Sequence, residues 1–269
     1  MKSNEHKLIT LTTDFGIEDD YVGLMKGVIH SINPNARVID LTHYIPPQDV
    51  EWTAHMLYYS FGYFPEGTIH VVVVDPGVGS SRPIKLVRLA GQYFLAPDNG
   101  VMTKLVGQYR PQEIRTIANR EYFLADISNT FHGRDIFAPV AAHLSNGVSP
   151  KKLGEASREV KTLSLPEPQL KGSEISGNII HIDRFGNLIT NIEQQMVNQL
   201  SQSYTQLSIH ISNKSLPGIK NSYTEAGEGN LLAIFGSKGL LEVSVNKGSA
   251  AEVLNVKKGE QVQVISSDV

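Results

Sequence analysis

Ile69-His70-Val71-Val72-Val73-Val74 is apolar on both faces apart from one histidine, and it ends abruptly at Asp75-Pro76-Gly77-Val78-Gly79, a carboxylate followed by turn formers. A strand with one wet face alternates polar and apolar residues; a β-branched run without that alternation is buried on both sides, as in a parallel sheet covered by helices. Outward from this run the same pattern recurs. Leu8–Thr12 leads into Thr13-Asp14-Phe15-Gly16, Val38-Ile39 into Asp40-Leu41-Thr42-His43, and Tyr93–Ala96 into Pro97-Asp98-Asn99-Gly100. Helical spacing lies between them. Leu24, Met25, Val28, Ile29 and Ile32 follow Asp19 or Asp20 as a cap, and Val50, Ala54, Leu57, Tyr58 and Phe61 follow Asp49. The pattern predicts an α/β N-terminal domain with a mostly parallel sheet between helices. Ligands of such folds lie outside the carboxyl ends of the strands, where Asp14, Asp75 and Asp98 fall.

The texture changes after about residue 150. Lys151 to Gly172 is polar, holds Pro166-Glu167-Pro168 and reads as a linker. Short strands follow at Ile175–Ile182, Leu188–Ile192, Leu207–Ile211, Leu231–Phe235, Leu240–Val245 and Val262–Ile265, separated by Gly186-Asn187, Gly227-Glu228-Gly229-Asn230 and Lys258-Gly259. Spacing of this kind predicts a smaller all-β C-terminal barrel. The expected organisation is residues 1–168 as the α/β domain and residues 173–269 as the β-barrel domain.

The 269 residues carry 24 basic and 27 acidic side chains, a net charge of −3. With no basic cluster either, nucleic acid is not an expected partner, and a small-molecule substrate is. No cysteine is present, which excludes disulfides, thiolate metal sites and cysteine nucleophiles. Met1–Lys7 is polar and no apolar run approaches the roughly 20 residues of a membrane span, so a soluble cytoplasmic protein is expected.

Phosphate-loop, H-E-x-x-H, G-x-S-x-G and G-x-G-x-x-G signatures are absent from the positions where they would carry chemistry. Five polar clusters remain. Asp14 at a strand end can accept hydrogen bonds from a ribose diol or bind a cation, or simply make a turn. Asp75-Pro76-Gly77-Val78-Gly79-Ser80-Ser81-Arg82 lets backbone approach a ligand, or is a glycine-rich turn. Asn129-Thr130-Phe131-His132-Gly133-Arg134-Asp135 offers His132 as a base, or Asp135 as a helix cap with Arg134 in solvent. Asp183-Arg184-Phe185-Gly186-Asn187 suits a hairpin, with Phe185 a flat face for a purine. In Phe235-Gly236-Ser237-Lys238-Gly239, Lys238 and the backbone amides can hold a carboxylate, or Lys238 is an exposed turn lysine. His30, His43, His55, His70, His143, His181 and His210 lack metal-ligand spacing and read as structural. These clusters leave two enzymes open: an oxygen-ligated metal phosphoesterase using Asp14, Asp19, Asp75, Asp98 and His132, or a metal-free site for a hydroxylated, cationic ligand.

Thr12-Thr13-Asp14-Phe15-Gly16, Val74-Asp75-Pro76-Gly77-Val78-Gly79 with Arg82, Phe131-His132-Gly133-Arg134-Asp135, and Ile182-Asp183-Arg184-Phe185-Gly186-Asn187 with Thr190-Asn191 resemble, in this order, the S-adenosyl-L-methionine hydroxide adenosyltransferases. These are relatives of the fluorinating and chlorinating adenosyl-halide synthases. The resemblance implies hydrolysis of S-adenosylmethionine to adenosine and methionine, no cofactor and no metal, and a homotrimer with sites between the N-terminal domain of one subunit and the C-terminal domain of the next. It implies a triad of Asp75, Arg82 and His132 around the attacking water, with His132 orienting the water or taking its proton. Asp14 would bind the ribose hydroxyls, Asp183 the ammonium, Phe185 and Asn187 the adenine, and Ser237 the methionine carboxylate. In the halogenating branch a tyrosine replaces Asp75, a serine replaces Gly133 and an insertion follows the segment around Arg82, so the hydrolase branch is favoured; the tryptophan near the ribose in that branch is Gln48 here. Lys238 replaces that branch's arginine and is a point charge without a bidentate fork. The alternatives are an adenosyl-halide synthase or a non-catalytic module that binds adenosyl ligands.

Overall fold

The computed structural model describes residues 8–201 and 206–267, so the polar start Met1–Lys7 lies outside the described residues. The chain divides into two compact units, Met1–Leu163 and Ser164–Val269.

The first unit runs β1 (Leu8–Thr13), α1 (Tyr21–Ile32), β2 (Arg37–Thr42), α2 (Val50–Ser60), β3 (Ile69–Val73), β4 (Ile84–Leu89), β5 (Gln92–Pro97), α3 (Thr103–Gln108), β6 (Glu113–Ile117), α4 (Ala138–Ser145), α5 (Pro150–Leu153) and β7 (Gly154–Ala156). Its sheet has the order β2-β1-β3-β5-β4-β6-β7. Both faces of β3 are buried. Ile69, Val71 and Val73 join Met25, Ile29, Val140 and Leu144 of α1 and α4 in one core cluster. His70, Val72 and Val74 point the other way and are equally buried, with His70 stacked on Phe94 at 4.8 Å between ring centres.

The mostly parallel sheet expected from the sequence is half right. β2, β1, β3 and β5 pair in parallel, but β5-β4-β6-β7 pair antiparallel, so the sheet is mixed. The cause is local. Ala90 and Gly91, with φ of 46° and 76°, form a two-residue turn that folds β4 directly back on β5, whereas a parallel neighbour needs a long crossover. β4 escapes a hydropathy reading because Lys85 interrupts it. That lysine is buried and donates to Thr116 Oγ1 (3.0 Å) and Ser157 Oγ (2.9 Å). The supposed linker is also partly structured, because β7 pairs with β6 and Lys161 N donates to Asp98 Oδ1 at 2.6 Å. Of the two expected caps, Asp49 accepts from Trp52 N at 2.9 Å, while Asp20 makes no side-chain capping bond.

The second unit runs β8 (Gln169–Lys171), β9 (Glu174–Ile182), β10 (Leu188–Glu193), α6 (Gln194–Ser201), β11 (Gln206–Ile211), β12 (Lys214–Pro217), β13 (Leu231–Phe235), β14 (Leu240–Val245), α7 (Ala250–Leu254) and β15 (Gln261–Ser267). The order β12-β11-β15-β9-β10-β14-β13 is antiparallel throughout, with β8 beside β9. Lys220 N donates to Ala233 O at 2.8 Å, tying the chain beyond β12 to β13, and the sheet is a nearly closed barrel around Ile175, Ile179, Leu188, Val243, Val262 and Val264.

His70 gives the first unit an acid limit. Burial pulls its pKa down to about 4, against the bond from its Nε2 to Gln92 Oε1 (2.5 Å). The folded state thus prefers neutral imidazole: the stability this group contributes is complete above the unfolded value near 6.5 and is lost as pH falls towards 4, by about 3 kcal/mol. Unfolding free energies measured from pH 7 to 4 should fall with that slope, and His70→Gln should flatten it. An equal slope in the variant would show that another group is responsible.

Candidate active site

The register of β1 and β3 opposes Thr13 to Val73, so Asp14 and Asp75 leave adjacent strands at the same carboxyl edge, and Asp98 follows β5 on the far side of β3. Asp75 Oδ1 accepts from Gly77 N (3.2 Å) and Arg82 Nε (2.9 Å), and Oδ2 accepts from Arg82 Nη2. The same Nη2 lies 3.0 Å from His132 Nδ1. Side-chain exposure is 5% for Asp75 and 11% for Arg82, so this bidentate pair is shielded from water.

Two segments must converge for that contact, and glycine permits it. Gly79 has φ of 78°, and a side chain there would start 2.4 Å from Asn129 O; without one, the loop carrying Arg82 lies against the segment that leads to His132. His132 itself precedes one π-helical turn, Gly133–Phe137, which leads into α4. The reading of Asp135 as a helix cap with Arg134 in solvent does not hold. Asp135 is fully buried, accepting from Ser128 N (2.8 Å) and Arg134 Nε (2.6 Å), and Arg134 is therefore bonded and stacked over Phe131 at 5.2 Å.

A guanidinium has no lone pair to offer, so Nδ1 of His132 is the acceptor in its bond with Arg82, and the neutral ring carries its hydrogen on Nε2. Burial, and after it the charge of Arg82, depress the pKa of His132 below the ordinary imidazole value, outweighing Asp75 and Asp135. Both effects favour the neutral ring.

Asp14 Oδ2 accepts from Gln48 N at 2.8 Å, and Gln48 is held at φ of 64°. Gln48 and Arg82 both line a cavity of about 630 Å³, with Pro76, Gly77, Ser80 and Asp98. Among the described residues no group of three or more His, Asp or Glu side chains converges as metal ligands, and Asp75 spends its oxygens on Arg82.

In the second unit, Asp183 Oδ1 accepts from Phe185 N (2.8 Å) and Asn187 N (2.9 Å), and Oδ2 from Asn187 Nδ2 (3.0 Å). This carboxylate builds its own turn. Phe185 is left 75% exposed at the tip, while Asn187 is buried. Gly186, φ 80°, packs against Ser249, whose Oγ would lie 2.1 Å from a Cβ there. Ser237 and Lys238 are exposed on the β13–β14 turn, which closes through Gly239 N to Gly236 O at 2.9 Å. Next to that turn lie three residues that the sequence reading did not single out. Tyr223 OH donates to Glu242 Oε1 at 2.7 Å, and Ser244 Oγ donates to the same oxygen at 2.8 Å. The available signal was a glutamate inside the apolar run Leu240-Leu241-Glu242-Val243.

Residues 9–154 match the SAM hydroxide adenosyltransferase N-terminal domain, and residues 177–263 match the C-terminal domain of the same family. The chain belongs to the SAM hydroxide adenosyltransferase family. Relatives of this adenosyltransferase family member include the (R)-S-adenosyl-L-methionine hydrolases of Thermus thermophilus, 37% identical over 94% of this chain and 97% of the relative, and of Methanocaldococcus jannaschii, 35% identical over 98% of each. A fluorinase of Nocardia brasiliensis is more distant, 29% identical over 96% of each chain. Among solved structures, a conserved protein from Thermotoga maritima superposes with a TM-score of 0.90 at 38% identity, covering 96% of this adenosyltransferase family member and all of that chain.

Two outcomes follow from the geometry. In an NMR titration His132 should ionise below 6.5, and Arg82→Met, which removes the neighbouring charge, should move the midpoint up; an unmoved midpoint would break the assigned contact. Gly186→Ala should lower stability by roughly 1–3 kcal/mol in thermal unfolding, because it combines a disfavoured φ with a collision at Ser249. An unchanged Tm would contradict the packing.

Proposed function

We propose that this chain hydrolyses S-adenosyl-L-methionine to adenosine and L-methionine. The observation that carries the reading is the Arg82 guanidinium joined at once to Asp75 and His132, in a chain whose hydrolase relatives match it along nearly its whole length. Water oxygen forms a bond to ribose C5′ as the C5′–S bond breaks, and the electron pair returns to sulfur. Methionine leaves as a neutral thioether, so the leaving group needs neither protonation nor a Lewis acid. What the reaction does need is a water held in line behind C5′ and a base for the proton it sheds.

In this reading Asp75, Arg82 and His132 are the catalytic residues. Arg82 fixes the other two groups; His132, neutral and with its hydrogen on Nε2, orients the water. The proton passes to Asp75, since an alkyl oxonium is a far stronger acid than a carboxylic acid. Asp14, already at the strand edge, takes the ribose hydroxyls. Asp183 meets the ammonium, Phe185 and Asn187 the adenine, and Ser237 with Lys238 the carboxylate. No cofactor is used. The reading extends to a soluble, cytoplasmic homotrimer; among the described residues no helix is long and apolar enough to cross a membrane. Because the curated relatives are named for the R form at sulfur, we assign that sulfonium epimer as the preferred substrate.

Purified protein incubated with each epimer in chelator should release adenosine and methionine, faster from the R form. Binding without products would support the non-catalytic module, and a 5′-halogenated adenosine formed with chloride or fluoride would support the halide synthase, a reading that Asp75 and Gly133 already disfavour. Asp75→Asn should lower kcat by about a hundredfold or more with KM within a few-fold, as for a group acting only in the transition state. A change confined to KM would remove Asp75 from the chemistry.

A further inference from the structure

The loop that carries Asp75 and Arg82 has two roots, Val74 before the aspartate and Pro83 after the arginine. Both are held from one place, the turn that follows β5. Asp98 N donates to Pro83 O at 2.9 Å, which extends the β4–β5 ladder beyond the pair Ile84 and Pro97. Asn99 Nδ2 donates to Val74 O at 2.9 Å, and this bond is of a different kind, because the β3–β5 ladder has already ended at Val71 opposite Leu95. Val74 is fully buried, so its carbonyl needs a partner from outside the ladder. One side-chain amide supplies it.

The direction of that amide is fixed. Its Oδ1 accepts from Val101 N at 3.3 Å, which leaves Nδ2 as the group facing Val74 O. A carboxylate of the same shape would set oxygen against oxygen, and an alkyl group would leave the carbonyl buried and unpaired. The turn is also pinned from its other side: Lys161 N donates to Asp98 Oδ1 at 2.6 Å, and the Leu163 side chain fills the space over Gly100, where a Cβ would lie 2.4 Å from its Cγ. Between its roots the loop is tied mainly to itself, with Val78 N donating to Asp75 O (3.2 Å), Ser80 N to Gly77 O (3.1 Å) and Arg82 N to Ser80 Oγ (3.2 Å). Its orientation is therefore set at the two roots and where Gly79 meets Asn129.

We propose that Asn99 is a positioning residue: by holding the Val74 carbonyl it sets the direction in which Asp75 leaves the sheet, and with it the reach of Arg82 to His132. The inference rests on the hydrolase reading and deepens it. In-line attack by water depends on groups held in one geometry, and a misplacement of about 1 Å costs up to about a hundredfold in rate. Asn99 lines the same cavity as Arg82, but it acts through Asp75 and Arg82 and not on the reacting atoms.

The test combines steady-state kinetics with the NMR titration of His132. Asn99→Ala should lower kcat for S-adenosylmethionine by about tenfold or more with KM within about twofold. Asn99→Gln, which keeps an amide one methylene farther out, should recover part of that loss, and Asn99→Asp should not. In the titration, Asn99→Ala should move the His132 midpoint up, as Arg82→Met does but by less, and should add nothing once Arg82→Met is present. A lowered Tm with kcat and the midpoint both at wild-type values would show an amide that only stabilises the fold, and would overturn the proposal. A change confined to KM, or a midpoint shift that persists in full without Arg82, would overturn it as well. If Asn99→Ala does not fold, Asn99→Ser decides by the same measurements. Wild-type protein that releases no adenosine would overturn the hydrolase reading, while the His132 titration still decides whether Asn99 places Arg82.

Discussion

One guanidinium organises the candidate site of the first unit. Arg82 gives Nε and Nη2 to Asp75 and the same Nη2 to His132, so a single side chain ties the two together. His132 is thereby an acceptor at Nδ1 with its hydrogen on Nε2. The same bond requires the loop after β3 and the segment before α4 to approach within side-chain reach, which depends on a glycine at position 79. Lysine in place of Arg82 would keep the charge but lose the fork that links the two segments.

The mixed sheet serves this arrangement. Parallel pairing of β1, β3 and β5 delivers three aspartates to one edge, each by a strand that stops when its buried run ends. The antiparallel half carries no such residues; it widens the sheet and anchors the segment around Ser157 and Lys161 through buried Lys85 and Asp98. In the second unit the polar groups sit on hairpin tips, where β9–β10 and β13–β14 turn. There Asp183 builds its own turn, its oxygens accepting from Phe185 N, Asn187 N and Asn187 Nδ2.

Much of this was legible in order along the chain. Runs buried on both faces announced β1, β3 and β5, and their abrupt ends located Asp14, Asp75 and Asp98, because hydrophobic periodicity is a local property. What escaped was non-local. β4 holds a buried lysine and β6 is half-buried, so neither shows a clean period, and the antiparallel direction came from two residues with positive φ at Ala90 and Gly91. Asp135 looked like a helix cap with Arg134 in solvent, yet it is fully buried because a π-helical turn and Ser128 wrap it. Glu242 was hidden for a similar reason: a single acid in an apolar strand gains meaning only when Tyr223, 19 residues earlier, is brought to it.

The sequence by itself determined the succession of buried strands and helices, the two-part organisation, the absence of thiol chemistry and the identity of the polar clusters. Tertiary structure alone decided which of them meet. Asp75, Arg82 and His132 are separated by 7 and 50 residues, and their bonds follow from strand register and from loops that pack because glycines leave room. Residue types set what a side chain is able to do; proximity, burial and the direction of each hydrogen bond set its protonation state, and those exist only in the folded chain.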